Sequence, residues 1–386
     1  MRSFRPRFRS PLRGPWLTSV LGVVLLACLP VVLVTGLLDY VAYGPHQGIP
    51  ADVGLLHLPV FDWPTRPAWL FRLTQGLHVG LGLVLVPVVL AKLWSVIPKL
   101  FAWPPISSPA QALERLTLLL LVGSILFEIV TGVLNIQYDY AFGFSFYTGH
   151  YLGAWVFLAS FIAHVALKLP TAVRALRGSR ADEKAEDPAP ATMSRRGALA
   201  TVGGGVLLVG VLTAGQTIGG PLRDLAFLLP RGRQPGDGPN GFPVNRTAAA
   251  ARVVVGEDWR LTLGALNLTR DELLALPQHT ARLPIACVEG WSTVQTWTGV
   301  PLRDLAKLAG VSEPESALVT SVEQGPFAQA ILNAGQVADP DAVLALRVNG
   351  ADLSPDHGFP ARIIVPALPG VRCTKWVRSI EFRRTP

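Results

Sequence analysis

Charge is scarce in this chain. Of its 386 residues only 16% are Asp, Glu, Lys or Arg, while 50% are hydrophobic. A soluble globular domain carries roughly 25% charge, so a single soluble domain is excluded. This much apolar surface also excludes disorder over most of the length. Cysteine is scarce as well. Three residues, Cys28, Cys287 and Cys373, cannot build the disulfide framework of a small secreted fold. Cys28 lies inside an apolar run and reads as a small buried residue. The net charge is +8. A nucleic-acid binder could carry that value, but the positive residues fall mostly between apolar runs, where they orient a membrane protein. No nucleic-acid partner is expected. Length alone points to roughly two or three domains.

A membrane span takes roughly 20 apolar residues. Five stretches qualify: Trp16–Leu38, Phe71–Ile97, Leu113–Ile136, Phe146–Leu169 and Ala198–Gly219. The first lacks a small-residue cleavage site and others follow it, so it reads as an anchor and not a signal peptide. Basic residues are missing from one set of loops. None lies between Asn135 and Gly149, and the other loop of that set has only Arg66 and Arg72. By contrast Arg2, Arg5, Arg7, Arg9 and Arg13 precede the first span. Lys92, Lys99 and Arg115 surround the loop after the second. Lys168, Arg174, Arg177, Arg180, Lys184, Arg195 and Arg196 follow the fourth. This bias places the N-terminus in the cytoplasm and the C-terminal domain outside the cell (inner) membrane.

Three of the seven histidines fall in or at the edge of spans: His78, His150 and His164. His150 and His164 are 14 residues apart on one expected helix, which is roughly 21 Å along the axis and nearly four whole turns. Both side chains then face the same way, one near each membrane surface. That spacing suits two stacked haems held by imidazoles within a helix bundle, with His78 opposing His150. Lys92, 14 residues beyond His78, lies at the depth of His164 and is an unusual iron ligand. The alternative for each histidine is an interhelical hydrogen bond. Glu128, also within a span, serves either a proton path or a pairing with a neighbour.

The stretch Thr74-Gln75-Gly76-Leu77-His78 and the segment from Tyr147-Thr148-Gly149-His150 through His164 resemble the di-haem cytochrome b561-like membrane subunits. The resemblance covers residues 15–170 and implies haem b, one or two, exchanging electrons with the quinone pool. Lys92 stands where that family has a fourth histidine, so the inner site departs from the pattern. His46 and His57 of the outer loop are either substitute ligands or surface residues.

Arg180 to Thr192 is rich in charge, Ala and Pro and reads as a solvated linker. Ser194-Arg195-Arg196-Gly197-Ala198-Leu199 then looks like a twin-arginine export signal; the alternative is two arginines obeying the positive-inside rule. Pro221 to Asn245 is expected to be irregular. Beyond it, Arg252–Gly256, Trp259–Leu266, Arg282–Val288, Ala317–Val322, Val343–Val348, Arg362–Val365 and Trp376–Phe382 read as strands. Thr269-Arg270-Asp271-Glu272 is a capping box, and Pro301–Leu308 reads as a helix with Gly310 past its end. The result is a compact α+β domain.

Cys287, in Ile285-Ala286-Cys287-Val288-Glu289-Gly290-Trp291-Ser292, sits at a strand end ahead of a Gly turn. From the residues alone it is a buried thiol, a nucleophile with His279 or His357 as base, or a soft-metal thiolate. Three motifs in order then closely resemble the sulfite oxidase-type molybdopterin domain. They are Cys287 to Ser292 with Trp297-Thr298-Gly299-Val300-Pro301-Leu302, then Asn349-Gly350 with His357-Gly358-Phe359-Pro360-Ala361-Arg362, then Gly370 to Trp376. The resemblance covers residues 240–386. It implies that Cys287 is the single protein thiolate on molybdenum and that His357, Arg362 and Lys375 contact the pyranopterin and its phosphate. Asn245 and Arg246 are further pterin contacts. Arg forks and Lys point charges suit a buried phosphate. Cys373 is a neighbour of the site or a packed thiol, unpaired with Cys287. Phe327 in Gly325-Pro326-Phe327 stands where that family has a tyrosine. No dimerisation domain of the eukaryotic sulfite oxidases is expected. The soluble part looks more like the catalytic subunits of bacterial periplasmic methionine sulfoxide reductases, whose partner is a separate haem-bearing membrane protein.

The expected organisation is therefore multi-domain. Residues 1–175 form a four-helix membrane domain, 176–194 a cytoplasmic linker, 195–220 a fifth anchor helix, and 221–386 an extracytoplasmic α+β sulfite oxidase-type molybdopterin domain. The expected activity is a membrane-bound molybdenum oxidoreductase with haem b, joining the quinone pool to oxygen-atom transfer on a small S-oxide or N-oxide. The alternatives are a sulfite-type dehydrogenase running the other way, and a cofactor-free partner-binding membrane protein.

Overall fold

A computed structural model of the chain describes residues 14–44, 52–53, 56–57, 61–101, 108–137, 141–177, 193–229, 238–325 and 327–384. The N-terminal arginines up to Arg13, His46, and the linker with Arg180 and Lys184 lie outside the described residues. The chain forms two compact units. One contains Met1–Val34 and His78–Thr213; the other contains Thr35–Leu77 and Ala214–Pro386.

Four helices are long and apolar enough to cross a membrane: α1 (Pro15–Tyr43), α4 (Pro109–Gln137), α5 (Phe146–Arg177) and α6 (Arg195–Ile218). The expected second span is not one straight helix. It is α2 (Leu70–Val84) followed by α3 (Val86–Leu100), bent by 40°. Pro87 opens the second piece. It has no N–H to donate one turn back, and its ring crowds the preceding carbonyl, which kinks the helix. Counted as one span, the bent pair brings the number to five among the described residues. The first unit's core joins Leu17 and Leu21 of α1, Leu85 and Val88 at the bend, and Phe157 of α5. Leucines elsewhere on these helices face outward, Leu207 being 68% exposed. A surface that apolar is compatible with lipid as its solvent.

The second unit holds a small antiparallel pair, β1 (Asp52–Val53) and β2 (Leu56–His57), and is built on two five-stranded sheets. In the first, β5 (His279–Ala286), β6 (Ser292–Pro301) and β9 (Val343–Val348) run antiparallel, with β10 (Ala351–Asp352) and β11 (Arg362–Ile364) both pairing β9. In the second the order is β4 (Leu266–Thr269), β3 (Arg260–Leu263), β12 (Val377–Arg383), β7 (Ser316–Ser321), β8 (Gln329–Asn333). Here β12 pairs β3 in parallel and β7 antiparallel. Short helices α7 (Arg270–Ala275), α8 (Leu302–Leu308) and α9 (Ala334–Ala338) pack between strands. The capping box at Thr269 and Glu272 forms as the sequence expects.

Three expectations change. Arg252–Gly256 is a turn and not a strand, with Arg252 at φ 53°. Trp259–Leu266 is a hairpin, β3 turning into β4. Strand β6 was hidden because its Ser, Thr and Gln residues blur the apolar alternation, although its burial is nearly continuous. The stretch after α1, expected to be a plain outer loop, belongs to this unit through directed bonds. Trp63 Nε1 donates to the Ala367 carbonyl at 2.7 Å. Arg66 pairs with Asp339 at 3.1 Å and Asp341 at 2.6 Å. Arg372 Nη1 donates to the Ala42 carbonyl at 3.1 Å.

The pairing of β6 with β9 shifts register between Thr298 and Gly299. At Gly299 the facing strand comes so close that a side-chain carbon would run into the Leu344 carbonyl. Gly299→Ala is therefore expected to destabilise the second unit by about 2 kcal/mol or more. A thermal melt checks this, with a fall in midpoint of roughly 4–8 °C.

Candidate functional site

Cys287 follows the last residue of β5, on the turn into β6. The turn closes on itself: Cys287 N–H donates to the Trp291 carbonyl at 2.9 Å, and Gly290 N–H to the Cys287 carbonyl at 3.0 Å. Gly290 takes φ 88°, a conformation that L side chains resist. Glu289 is fully buried and accepts from Trp291 Nε1 at 2.8 Å. The Cys287 thiol is itself 3% exposed. It lines a narrow cleft with Phe242, Asn245, Trp291, His357 and Arg362. None of the three cysteines is in a disulfide, and burial pushes the Cys373 thiol up from its ordinary pKa.

Two buried cations stand within electrostatic reach of Cys287: Arg362 and Lys375. Arg362 opens β11 and donates only to carbonyls, those of Cys373 at 3.1 Å, His357 at 3.3 Å and Gly370 at 3.5 Å. Lys375 Nζ donates to Asn245 Oδ1 at 2.7 Å and to the carbonyls of Asp356 at 2.8 Å and Arg246 at 2.9 Å. Among the described residues, neither has a carboxylate as hydrogen-bond partner. Burial pulls Arg362 down to about 10. Burial, then the Arg362 charge, pulls Lys375 well below its ordinary value. Two like charges held dry, with only neutral oxygens as hydrogen-bond partners, are costly, and an anion between them relieves both. The residues thus fit an anionic cofactor with a soft metal.

His357 stacks on Phe242, ring centres 3.7 Å apart. Its Nε2 lies 2.8 Å from the Pro239 carbonyl and 3.2 Å from that of Phe242. Two carbonyls at one nitrogen require the proton there, so Nδ1 is the acceptor. Burial, then the Arg362 and Lys375 charges, lowers its pKa to about 3. It is neutral at physiological pH.

The fold therefore brings Asn245, Cys287, His357, Arg362 and Lys375 together. Arg246 joins through its backbone, while its guanidinium pairs with Glu323 at 2.5 Å. Phe327 lies on the turn between β7 and β8, 37% exposed. Two residues escaped the sequence reading. Arg372 lies within the third motif, and its guanidinium bonds the Ala42 and Ile331 carbonyls. Glu323 is a buried carboxyl raised by burial and pulled back by Arg246 and Lys375. Only its nearness in space to Arg246 identifies it.

In the helical unit, His78 of α2 and His150 of α5 meet with ring centres 6.0 Å apart at 89°. His78 Nδ1 lies 2.9 Å from the Val32 carbonyl. His150 Nδ1 lies 3.1 Å from Glu128 Oε2 and 3.0 Å from Thr131 Oγ1. Each ring is thus oriented through Nδ1, which leaves Nε2 as the nitrogen available to a metal. Glu128 has its partner in His150. His164 lies 14 residues further along α5. Lys92 donates its amine to the Thr18 carbonyl, a use that needs its protons and not a lone pair.

Residues 248–386 match the family model described as oxidoreductase molybdopterin binding domain. The oxidoreductase YuiH of Bacillus subtilis (strain 168) is 33% identical over 149 residues, covering 37% of this chain and 74% of YuiH. The NADH nitrate reductase of Volvox carteri is 34% identical over 146 residues, 30% of this chain and 17% of that enzyme. Mitochondrial sulfite oxidase of Drosophila melanogaster is 30% identical over 172 residues, 37% of this chain and 30% of its own length. The chain thus spans less than a third of the last two.

The lowered pKa of His357 carries a stability consequence. Its folded value near 3 lies below the ordinary 6.5, so the unfolded chain binds the proton first. Stability from this group is full above pH 6.5 and drains as pH falls toward 3. Thermal unfolding against pH should show a shallower acid limb for His357→Gln than for the parent.

Proposed function

Because the chain belongs to the family of oxidoreductases with a molybdopterin-binding domain, we propose that it is a membrane-bound molybdenum enzyme joining haem b and the quinone pool to reduction of an S-oxide or N-oxide. The observation that carries this reading is the buried Cys287 thiol beside two buried cations that hydrogen-bond no carboxylate. When bound, molybdopterin supplies two-electron oxygen-atom transfer. Cys287 would serve as its one protein thiolate. Arg362 would offer a planar fork and Lys375 a point charge to its phosphate. Asn245 steers the Lys375 amine through their 2.7 Å bond. Neutral His357 keeps Nδ1 as an acceptor and adds no third charge. An S-oxide takes up two electrons and two protons and leaves as sulfide and water.

The membrane arm of this reading rests on His78 and His150. Both Nδ1 atoms are held by oxygen partners, the arrangement of metal-ligating imidazoles. They would hold one haem b, a group that would supply single-electron transfer. With the Lys92 amine given to Thr18, a second haem at His164 is not part of the reading. In this reading the N-terminus is cytoplasmic and the second unit lies outside, as the bias of basic residues suggests. Ser194-Arg195-Arg196, at the start of α6 with Ser194 Oγ capping Gly197 N–H at 3.0 Å, serves as a twin-arginine signal. The nitrate reductase relatives support the reductive direction by name. The sulfite oxidase relative favours the second reading, a sulfite-type dehydrogenase with the electrons reversed.

Elemental analysis of the detergent-purified protein should give about one molybdenum and about one haem iron per chain. Iron without molybdenum would reduce the second unit to a partner-binding module. Cys287→Ser is expected to abolish S-oxide reduction with the haem spectrum intact. His150→Ala is expected to lose the haem spectrum with molybdenum retained.

A further inference from the structure

The turn that carries Cys287 is fastened by residues far outside the stretch 248–386. Two of its carbonyls point away from the β5–β6 ladder, those of Val288 and Gly290. The Val288 carbonyl accepts from Gln75 Nε2 at 2.9 Å. The Gly290 carbonyl accepts from Thr217 Oγ1 at 2.6 Å. Gln75 lies in the early turns of α2 and is 4% exposed; Thr217 lies at the end of α6. Two further contacts fix these donors. Arg72, one turn before Gln75, donates Nη2 to the Thr217 carbonyl at 2.8 Å. Gly76 packs against Thr217 so closely that a side-chain carbon there would come within 2.5 Å of Thr217 Cγ2. Gln75 and Gly76 belong to the motif ahead of His78. Their contacts explain both.

We propose that Gln75 and Thr217 are positioning residues for Cys287. The 288–289 and 290–291 peptides sit in a buried turn, where a carbonyl without a donor is costly. Gln75 and Thr217 satisfy one each and so fix the plane of both peptides. With the turn's internal bonds from Cys287 N–H and Gly290 N–H already made, the backbone on either side of Glu289 has no remaining freedom to rotate. The Cys287 thiol is then held in one orientation before any metal arrives, as preorganised ligands are. Neither residue touches the cleft itself, since the lining comes from Cys287, Trp291 and their neighbours. The inference rests on the reading of Cys287 as the metal thiolate. It adds that the thiolate's geometry depends on two donors that the family domain does not contain.

The test uses the full chain in detergent, produced in a host unable to make molybdopterin. The rate of Cys287 alkylation by iodoacetamide is read by peptide mass spectrometry, with buried Cys373 of the same chain as the internal control for general loosening. Thr217→Val and Gln75→Leu should each raise the Cys287 rate about tenfold, the worth of one buried hydrogen bond, with the Cys373 rate unchanged. Thr217→Ser keeps the hydroxyl and should stay within about twofold of the parent on the same scale. Where Thr217→Val does not accumulate, Gln75→Leu carries the same contrast. Gln75→Asn, one methylene short of the carbonyl, repeats it with the amide kept. In protein loaded with cofactor, the Mo(V) paramagnetic resonance signal should shift in Thr217→Val and return in Thr217→Ser. Rates within twofold of the parent for all the disrupting variants would overturn the proposal, as would Cys287 and Cys373 rates rising together. If the parent chain holds no molybdenum, the reading of Cys287 as a metal ligand fails, while the alkylation contrast still decides whether the turn is held this way.

Discussion

Arg362 and Lys375 are buried with only neutral oxygens as hydrogen-bond partners, and much of the second unit's architecture follows from keeping them there. A guanidinium and an ammonium in a dry interior repel each other and lose their hydration. The fold answers by surrounding them with backbone carbonyls. Those of His357, Gly370 and Cys373 turn toward Arg362, and those of Arg246 and Asp356 toward Lys375. Carbonyl dipoles offset part of the cost and leave a net positive interior. Burial together with that residual field holds His357 neutral, and the buried carboxyl of Glu323 is paired with Arg246. It is also why an anionic cofactor would complete the site and not crowd it.

The helical unit solves the opposite problem. Its long helices turn apolar side chains outward, and polar groups between them find partners inside the protein. His78 and His150 do so asymmetrically, one with a peptide carbonyl and one with a carboxylate and a hydroxyl. Lys92 does so against the Thr18 carbonyl.

Much of this was legible in the sequence. Apolar runs located the long helices, because a run of apolar residues has one meaning in hydrocarbon. Val343–Val348 was read to the residue and the capping box at Thr269 correctly, since both are local patterns. The three motifs picked out the residues that converge on Cys287, because each motif carries one wall of the cleft. What was not legible is what depends on distance along the chain. Strand β6 lacks clean alternation, as it is buried on both faces. The bend at Pro87 sits inside an otherwise unbroken apolar run. The part played by residues 61–75, through Trp63, Arg66 and Gln75, has no sequence signature, because its partners lie more than two hundred residues away.

One feature of the second sheet bears on how the protein is made. Strand β12 lies in the middle of that sheet, between β3 and β7, yet it follows every other described strand in the chain. A ribosome therefore delivers both flanking hairpins before the strand that joins them. Lys375 and Trp376 arrive with that strand, just ahead of it. Until then the half-built sheet has an open gap where its central strand belongs, and Lys375 has yet to join Arg362. Assembly of the site is thus a late event in biosynthesis, after the turn bearing Cys287 has long since left the ribosome.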